Sequence, residues 1–335
     1  MSTVSLLAAQ TYEIQALRQS LETLLEPLGG MAAFVKPGDR VLLKPNMLTG
    51  ARPSKECITR KEIVYCVAQL VLEAGGKPFI GDSPAFGSAQ GVAKNNGYLP
   101  LLEELGIPLV EFHGKRYSTE GDNYRNLRLS KEAMEADVVI NLPKVKSHVQ
   151  LTLTLGVKNL FGCVPGKMKA WWHMEAGKDP QQFATMLIET AQAIAPDLTI
   201  LDGIIGHEGN GPSGGEPKQL GVLGAAADVF ALDRAIVDIL GVEPALVPTV
   251  AKSMELGLCG DLAKIHFPLA TPKQLAIADW KLPEALMPID FALPRILKST
   301  FRHFYIRFIK EPMASYSGKL DKKKSQKVKS TTFNQ

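Results

Sequence analysis

A mostly parallel α/β sheet covered by helices is the architecture this sequence predicts, and three patterns predict it. Short apolar runs of strand length alternate with stretches of helical spacing, paired glycines or prolines separate them, and no repeat of fixed period interrupts the alternation. A chain of 335 residues that is 45% hydrophobic can bury a large core, so the alternation is read as one folded unit over 1–280.

The elements follow in order. From Tyr12 to Leu28, Ile14, Leu17, Leu21, Leu24, Leu25 and Leu28 share one side of a helix that Gly29-Gly30 ends. Arg40 to Lys44 reads as a buried strand closing on Pro45-Asn46. Thr59 is placed to cap a helix reaching Ala74, with Glu62 three residues on as its capping-box partner. Gly75-Gly76 stops that helix, and Lys77 to Asp82 forms the next strand, a strand–helix–strand unit that is normally parallel. Leu109 to Phe112 and Asp137 to Leu142 add strands. A helix over Asp179 to Ala195, strands at Asp197 to Leu201 and Gln219 to Gly224, and a helix over Asp228 to Leu240 complete the body.

After Trp280 the character changes. Within 281–335, Pro283, Pro288 and Pro294 punctuate a connector, and Pro294 to Lys310 reads as an amphipathic helix. Leu297, Phe301, Phe304, Tyr305 and Phe308 share its apolar face, and Arg295, Lys298, Arg302 and Lys310 lie mostly off it. Ser315 to Gln335 has the composition of a disordered tail. Arg295 to Gln335 holds eleven Lys and Arg against Glu311 and Asp321, so a formal charge of +9 sits on a body of −5. A basic segment with aromatic anchors over 294–329 suits an anionic membrane surface, and packing of the same apolar face on the protein's own body is the alternative. Nucleic acid is the less favoured partner, since a basic arm alone would not need those aromatics in register.

No run reaches the roughly 18–20 apolar residues of a membrane span. Met1 to Gln10 lacks a basic region and a signal-peptide core, so a cytoplasmic chain, with association at a membrane surface, is expected. Cys57, Cys66, Cys163 and Cys259 share no C-x-x-C spacing and are expected as reduced thiols packed in the core.

Ligands of parallel α/β sheets collect beyond the carboxyl ends of strands, and five features fall there. Lys44-Pro45-Asn46 places an ammonium group and an amide at a strand end. Gly81-Asp82-Ser83-Pro84 places a carboxylate there, to cap a helix or hold a cation. The interval Asn141 to Lys169 contains Lys144, Lys146, Lys158, Lys167 and Lys169 with His148 and no acid. In extended chain Lys144 and Lys146 face the same side. Ammonium groups so clustered draw phosphate or carboxylate and depress one another's pKa. Trp171-Trp172-His173 follows, as a stacking surface or as packing. Asp202 to Gly215 sets six glycines around Asp202, His207 and Glu208; its spacing fits neither the dinucleotide fingerprint nor the P-loop. Its backbone, at Gly209, Asn210 and Gly211, is a candidate ligand cradle.

Together these blocks resemble a family known as domain of unknown function 362. The resemblance rests on Lys44-Pro45-Asn46, Gly81 to Pro84, Pro143-Lys144-x-Lys146-x-His148 and Lys158-Asn159-Leu160-Phe161-Gly162. It continues through Asp202-Gly203 with Glu208 to Pro212, and through Asp228 and Asp233 before a helix, six blocks in order within Val41 to Phe267. In many members a ferredoxin-like iron–sulfur module follows the shared domain. That module needs C-x-x-C-x-x-C runs, which this chain lacks, so an intrinsic cluster is not expected.

Three functions remain in view. One is an enzyme or binding protein for a small carboxylate or phosphate, with Lys146, His148 and Lys158 catalytic and His148 acting near its ordinary pKa. Lys44, Asn46, Lys144, Asn159 and Lys167 would bind the ligand, and Asp82, Asp202 and Glu208 would hold a divalent cation. Another is a redox accessory role with a separate ferredoxin-like partner docked on the lysines. The last is a non-catalytic accessory protein at a membrane surface.

Overall fold

The computed structural model describes residues 1–50, 53–121, 123–166, 179–287 and 305–306. The mostly parallel, helix-covered sheet expected from the sequence is the one that forms, with nine strands in one sheet among the described residues. The unbroken apolar run of β2 (Arg40–Pro45) reflects burial on both faces: Val41 and Leu43 enter one core and Leu42 another. β2 pairs in parallel with β3 (Lys77–Gly81), which pairs with β4 (Leu109–Val110). On its other side lies β7 (Val138–Leu142), then β10 (Leu198–Glu208), both parallel. The antiparallel β11 (Glu216–Ala226) and β1 (Ser5–Ala8) close the path.

This order creates a crevice. From β2 the chain steps outward through β3 and β4, then returns to the opposite flank of β2 to lay down β7. The carboxyl ends of β2 and β7 therefore flank the point where strand order reverses, the favoured ligand position of open α/β sheets. Lys44 and Asn141 are partners in register there.

One face is covered by α1 (Ile14–Leu25), α2 (Lys61–Glu73), α3 (Ala89–Asn95) and α4 (Tyr98–Leu105). The other carries α5 (Lys131–Met134), α6 (Gly156–Leu160), α7 (Pro180–Ile194) and the hairpin β5 (Gly114–Ser118) with β6 (Asn126–Ser130). Glu189 of α7 fixes that hairpin by accepting the Asn123 and Tyr124 backbone N–H groups at 3.1 and 2.8 Å. α8 (Val229–Ile239) and α9 (Pro248–Glu255) pack at the β10–β11 end.

Four details depart from the sequence expectation. α1 begins at Ile14, capped by the Glu13 carboxylate, which leaves Tyr12 outside the helix. Thr59 does not cap α2: its Oγ1 donates to Leu142 O at 2.6 Å and accepts the Asn46 N–H at 2.8 Å. The hydroxyl is thus taken up by backbone groups at the ends of β2 and β7, and Glu62 turns to Arg60 instead, at 3.1 Å. β10 and β11 both extend well beyond the expected Asp197–Leu201 and Gln219–Gly224, because a register shift between Gly203 and Ile205 carries the ladder through the glycines to Glu208. Finally, Pro143, which has no N–H to give a ladder, splits β7 from β8 (Lys144–His148). β8 takes over the flank of β10, aligning Lys144 with Asp202 and Lys146 with His207, and hairpins onto β9 (Thr152–Thr154).

All four cysteines are free and buried, as expected. Lys167, Lys169, Trp171-Trp172-His173 and nearly all of 294–335 lie outside the described residues. Among the described residues no helix is long and apolar enough to cross a membrane.

Candidate functional site

Alternation along β2 sends Leu42 and Lys44 to the α6 face, where Lys44 is fully buried. It does not snorkel. Its Nζ lies 2.9 Å from Asp82 Oδ1, at the end of β3, and donates to Pro45 O at 3.0 Å and Asn159 Oδ1 at 3.2 Å. Asp82 Oδ2 accepts the Met47 N–H at 2.7 Å, so this carboxylate caps no helix. Asn159 of α6 donates to Asn141 Oδ1 at 2.8 Å and to Lys44 O at 3.2 Å. Gly162 lies flat against the ion pair; a Cβ there would come within 2.6 Å of Lys44 Cε.

Beyond Pro143, Lys144 points into the α1–α2 side. Its Nζ is 3.0 Å from Asp202 Oδ2, 3.0 Å from the Tyr12 hydroxyl and 3.6 Å from Glu56 Oε2. Tyr12 donates to Asp202 Oδ1 at 2.6 Å, and Arg60 adds its backbone N–H to Asp202 at 3.0 Å and its guanidinium to Glu56 at 2.7 Å. No motif marks Tyr12 or Glu56 as a site residue; their roles arise from tertiary placement. Burial, then the Asp202 charge, holds the Tyr12 hydroxyl well above its ordinary pKa, so it stays a donor.

Lys146 sits between these clusters, 1% exposed. Its Nζ donates to Asn46 Oδ1 at 2.6 Å and to Cys57 O at 2.8 Å, and among the described residues no carboxylate lies at ion-pair distance. Burial first, with the ammonium groups of Lys144 and Lys44 adding to it, pushes its pKa down to about 8. The sequence expected the shift from clustered charge; desolvation is the larger cause. Asn46 joins the two halves by donating Nδ2 to Asn159 Oδ1 at 2.9 Å.

His148 continues the same row along β8 and is half-buried. Its Nδ1 accepts the Gln150 N–H at 3.1 Å, which leaves the ring hydrogen on Nε2. Burial, then Lys158 and Lys146, holds its pKa well below the usual value, so the expected acid–base role near pH 6.5 is replaced by that of a neutral Nε2–H donor. Lys158 of α6 lies over the Phe161 ring at 4.3 Å and near the Phe183 ring at 5.6 Å. α6 itself is held by Asp233 of α8, whose carboxylate accepts the Gly156 and Val157 N–H groups at 2.7 and 2.9 Å. Burial raises Asp233 to about 7 against the pull of those amides.

The expected metal trio does not assemble. Asp82 and Asp202 are engaged by different lysines, and Glu208 accepts the Lys281 N–H at 2.9 Å with Lys218 at 3.7 Å. Among the described residues no three His, Cys, Asp or Glu side chains meet as a metal set. The glycine loop is likewise engaged with its own fold. Gly209 donates to Lys281 O, Gly211 to Gly209 O, and Asn210 Oδ1 accepts the Glu284 N–H. His207 pins the loop: Nδ1 faces Lys55 O at 2.7 Å and Nε2 accepts the Gly215 N–H at 3.0 Å, so the ring is neutral with its hydrogen on Nδ1.

A thylakoid-associated protein of Synechocystis sp. is 69% identical over 316 residues, which cover 94% of this chain and 98% of that protein. The lactate racemase apoprotein of Thermoanaerobacterium thermosaccharolyticum superposes with a TM-score of 0.45 at 13% identity, over 68% of this chain and 55% of that one, so this chain spans about half of that structure. The family model described as Domain of unknown function (DUF362) matches residues 41–238, which include Lys44, Asp82, Lys144, Lys146, Asn159, Asp202 and Asp233, and this chain belongs to that family.

Proposed function

We propose that this protein binds a small carboxylate or phosphate at the carboxyl edge of its parallel sheet and that Lys146 receives the anion. One observation carries this reading. Three lysines are buried to 1% exposure or less, and Lys44 and Lys144 each have a carboxylate at about 3 Å while Lys146 has none among the described residues. A buried ammonium group without a counter-ion is costly, and an arriving anion removes that cost. The neutral Nε2–H of His148, two residues along the same face of β8, supplies an uncharged donor.

Titration calorimetry of the full chain with inorganic phosphate and with pyruvate tests the reading. Saturable binding of at least one, abolished in Lys146→Met with the melting temperature retained, is expected. No saturable binding, or equal binding by the variant, removes it.

A second reading, compatible with the first, places the protein at a membrane surface. It is supported by the thylakoid association of a relative 69% identical to this chain and by the +9 charge of Arg295 to Gln335. Each Lys or Arg near an anionic surface contributes about 1 kcal/mol of attraction, weakened by salt. Flotation with phosphatidylglycerol vesicles, comparing the full chain with one ending at Ala292, is the test. Equal flotation of the two rejects it.

A further inference from the structure

We propose that Lys146 forms a Schiff base with a small carbonyl acid, an anion that carries an aldehyde or ketone beside its charged group. This rests on the anion-binding reading above and names the substrate class of the same site.

The charges around the three buried lysines separate them. Lys44 Nζ donates to Pro45 O and Asn159 Oδ1 and lies 2.9 Å from the Asp82 carboxylate. Lys144 Nζ donates to Asp202 Oδ2 and to the Tyr12 hydroxyl, with the Glu56 carboxylate beyond hydrogen-bond distance at 3.6 Å. A buried carboxylate in ion-pair contact is the partner of an ammonium ion. Lys146 Nζ has no such partner among the described residues and donates to Asn46 Oδ1 and Cys57 O, both neutral carbonyl oxygens. A neutral amine has two hydrogens and one lone pair. The two oxygens take both hydrogens and leave the lone pair without a partner among the described residues.

Ammonium groups recur along this stretch and suit an anionic electrophile. Lys144 and Lys44 lower the Lys146 pKa by their charge, less than burial does and against the larger opposite pull of Cys57 and Asp82, and Lys158 acts with Lys146 on the neighbouring His148. Of the two groups on Lys146 Nζ, the Asn46 amide belongs to a half-buried side chain, so an incoming carbonyl oxygen replaces Asn46 Oδ1 with the least disruption. The His148 Nε2–H, two residues along the same face of β8, is a neutral donor for that oxygen. Burial supplies the remaining requirement, a lysine part of whose population is unprotonated near neutral pH.

In the step, the Nζ lone pair attacks the carbonyl carbon. A C–N bond forms as the C=O π pair moves to oxygen, the two amine hydrogens pass to that oxygen, and it leaves as water. A C=N bond remains, and nothing is oxidised or reduced.

The test uses the full chain with glyoxylate or pyruvate and cyanoborohydride, which reduces the C=N bond and leaves a carboxymethyl or carboxyethyl group on the lysine, located by peptide mass spectrometry. A pKa of about 8 against 10.5 raises the free-amine fraction at pH 7 by about 300-fold. Burial and lower intrinsic nucleophilicity offset part of this, so Lys146 is expected to label at least about tenfold faster than exposed Lys36, Lys77 and Lys115. Inorganic phosphate should slow that labelling, and Lys146→Arg should keep phosphate binding while losing the adduct. If calorimetry shows saturable binding of phosphate or pyruvate but Lys146 labels no faster than the exposed lysines, the Schiff-base assignment is overturned and the anion-binding reading stands. Absence of both binding and labelling overturns both.

Discussion

Replacing Lys44 by methionine, and separately Lys146 by methionine, perturbs two lysines of nearly equal burial. Lys44→Met strands the Asp82 carboxylate, itself 4% exposed, with only the Met47 N–H left to it among the described residues. Removing one partner of a buried ion pair costs about 3–5 kcal/mol. Lys146→Met strands no charge. The shift from 10.5 to about 8 is equivalent to about 3 kcal/mol held against the charged form, which the substitution releases. Against this, Asn46 Oδ1 and Cys57 O lose a donor, at about 1–3 kcal/mol for each buried group. Asn46 is half-buried and within reach of water, so its share falls at the low end. The balance for Lys146→Met lies between a gain and a loss of about 1 kcal/mol, and Lys44→Met should be the less stable by about 2 kcal/mol or more. Urea unfolding at pH 7, followed by far-ultraviolet circular dichroism and extrapolated linearly, measures both. The double variant Lys44→Met/Asp82→Leu should recover most of the Lys44→Met loss, because no charge is then left unpaired. If Lys146→Met loses as much as Lys44→Met, Lys146 is not the uncompensated member and the reasoning fails.

Three further outcomes follow from the same geometry. The folded-state pKa of Lys146 is depressed, so the unfolded chain binds more protons between pH 8 and 10.5; stability should rise across that window by about 3 kcal/mol, and Lys146→Met should lack the rise in paired melting curves. His207 is likewise depressed, with burial the main cause, so its contribution is present above pH 6.5 and lost as pH falls; the stability gap between wild type and His207→Gln should shrink below pH 6.5, and a constant gap would count against a neutral pinning role. Gly162→Ala drives a Cβ between Lys44 and Asp82 and should cost about 3 kcal/mol in urea unfolding, whereas a loss under about 1 kcal/mol would show that the pair tolerates separation.

The position of the site was legible in the sequence because it depends on strand ends, and strand ends are marked by apolar runs giving way to Lys44-Pro45-Asn46, Gly81-Asp82 and Asn141-Leu142-Pro143. Its internal pairing was not legible. Period-two alternation says that Lys144 and Lys146 share a face, but only the register of β8 on β10 gives Asp202 to Lys144. The metal trio failed for the same reason. Asp82 follows β3 and Asp202 lies within β10, with β2 and β7 between them; the two serve lysines on opposite faces of the sheet, and Glu208 lies six residues further along β10, about 20 Å of extended chain. Thr59 shows a local signal losing to a tertiary one: a good capping sequence was overridden when two strand ends needed the hydroxyl.

Whether the missing counter-charge is what gives Lys146 its character can be tested by supplying it. Asn46→Asp keeps the size and geometry of the side chain and turns the oxygen 2.6 Å from Nζ into a carboxylate. Lys146 would then stand as Lys44 and Lys144 do, paired with a carboxylate. An opposite charge at that distance raises a lysine pKa by roughly 1–3 units, which lowers the free-amine fraction at pH 7 by about ten- to a thousandfold. Reductive labelling of Lys146 by glyoxylate should fall by at least about tenfold, and phosphate binding should weaken with it, while the melting temperature stays near that of the wild type. The exchange also removes the Nδ2 donor to Asn159, so Asn46→Leu serves as the control that loses this bond without adding charge. If Asn46→Asp labels at the wild-type rate, the reactivity of Lys146 does not come from the absence of a carboxylate, and the division of the three lysines into two paired and one open loses its functional meaning.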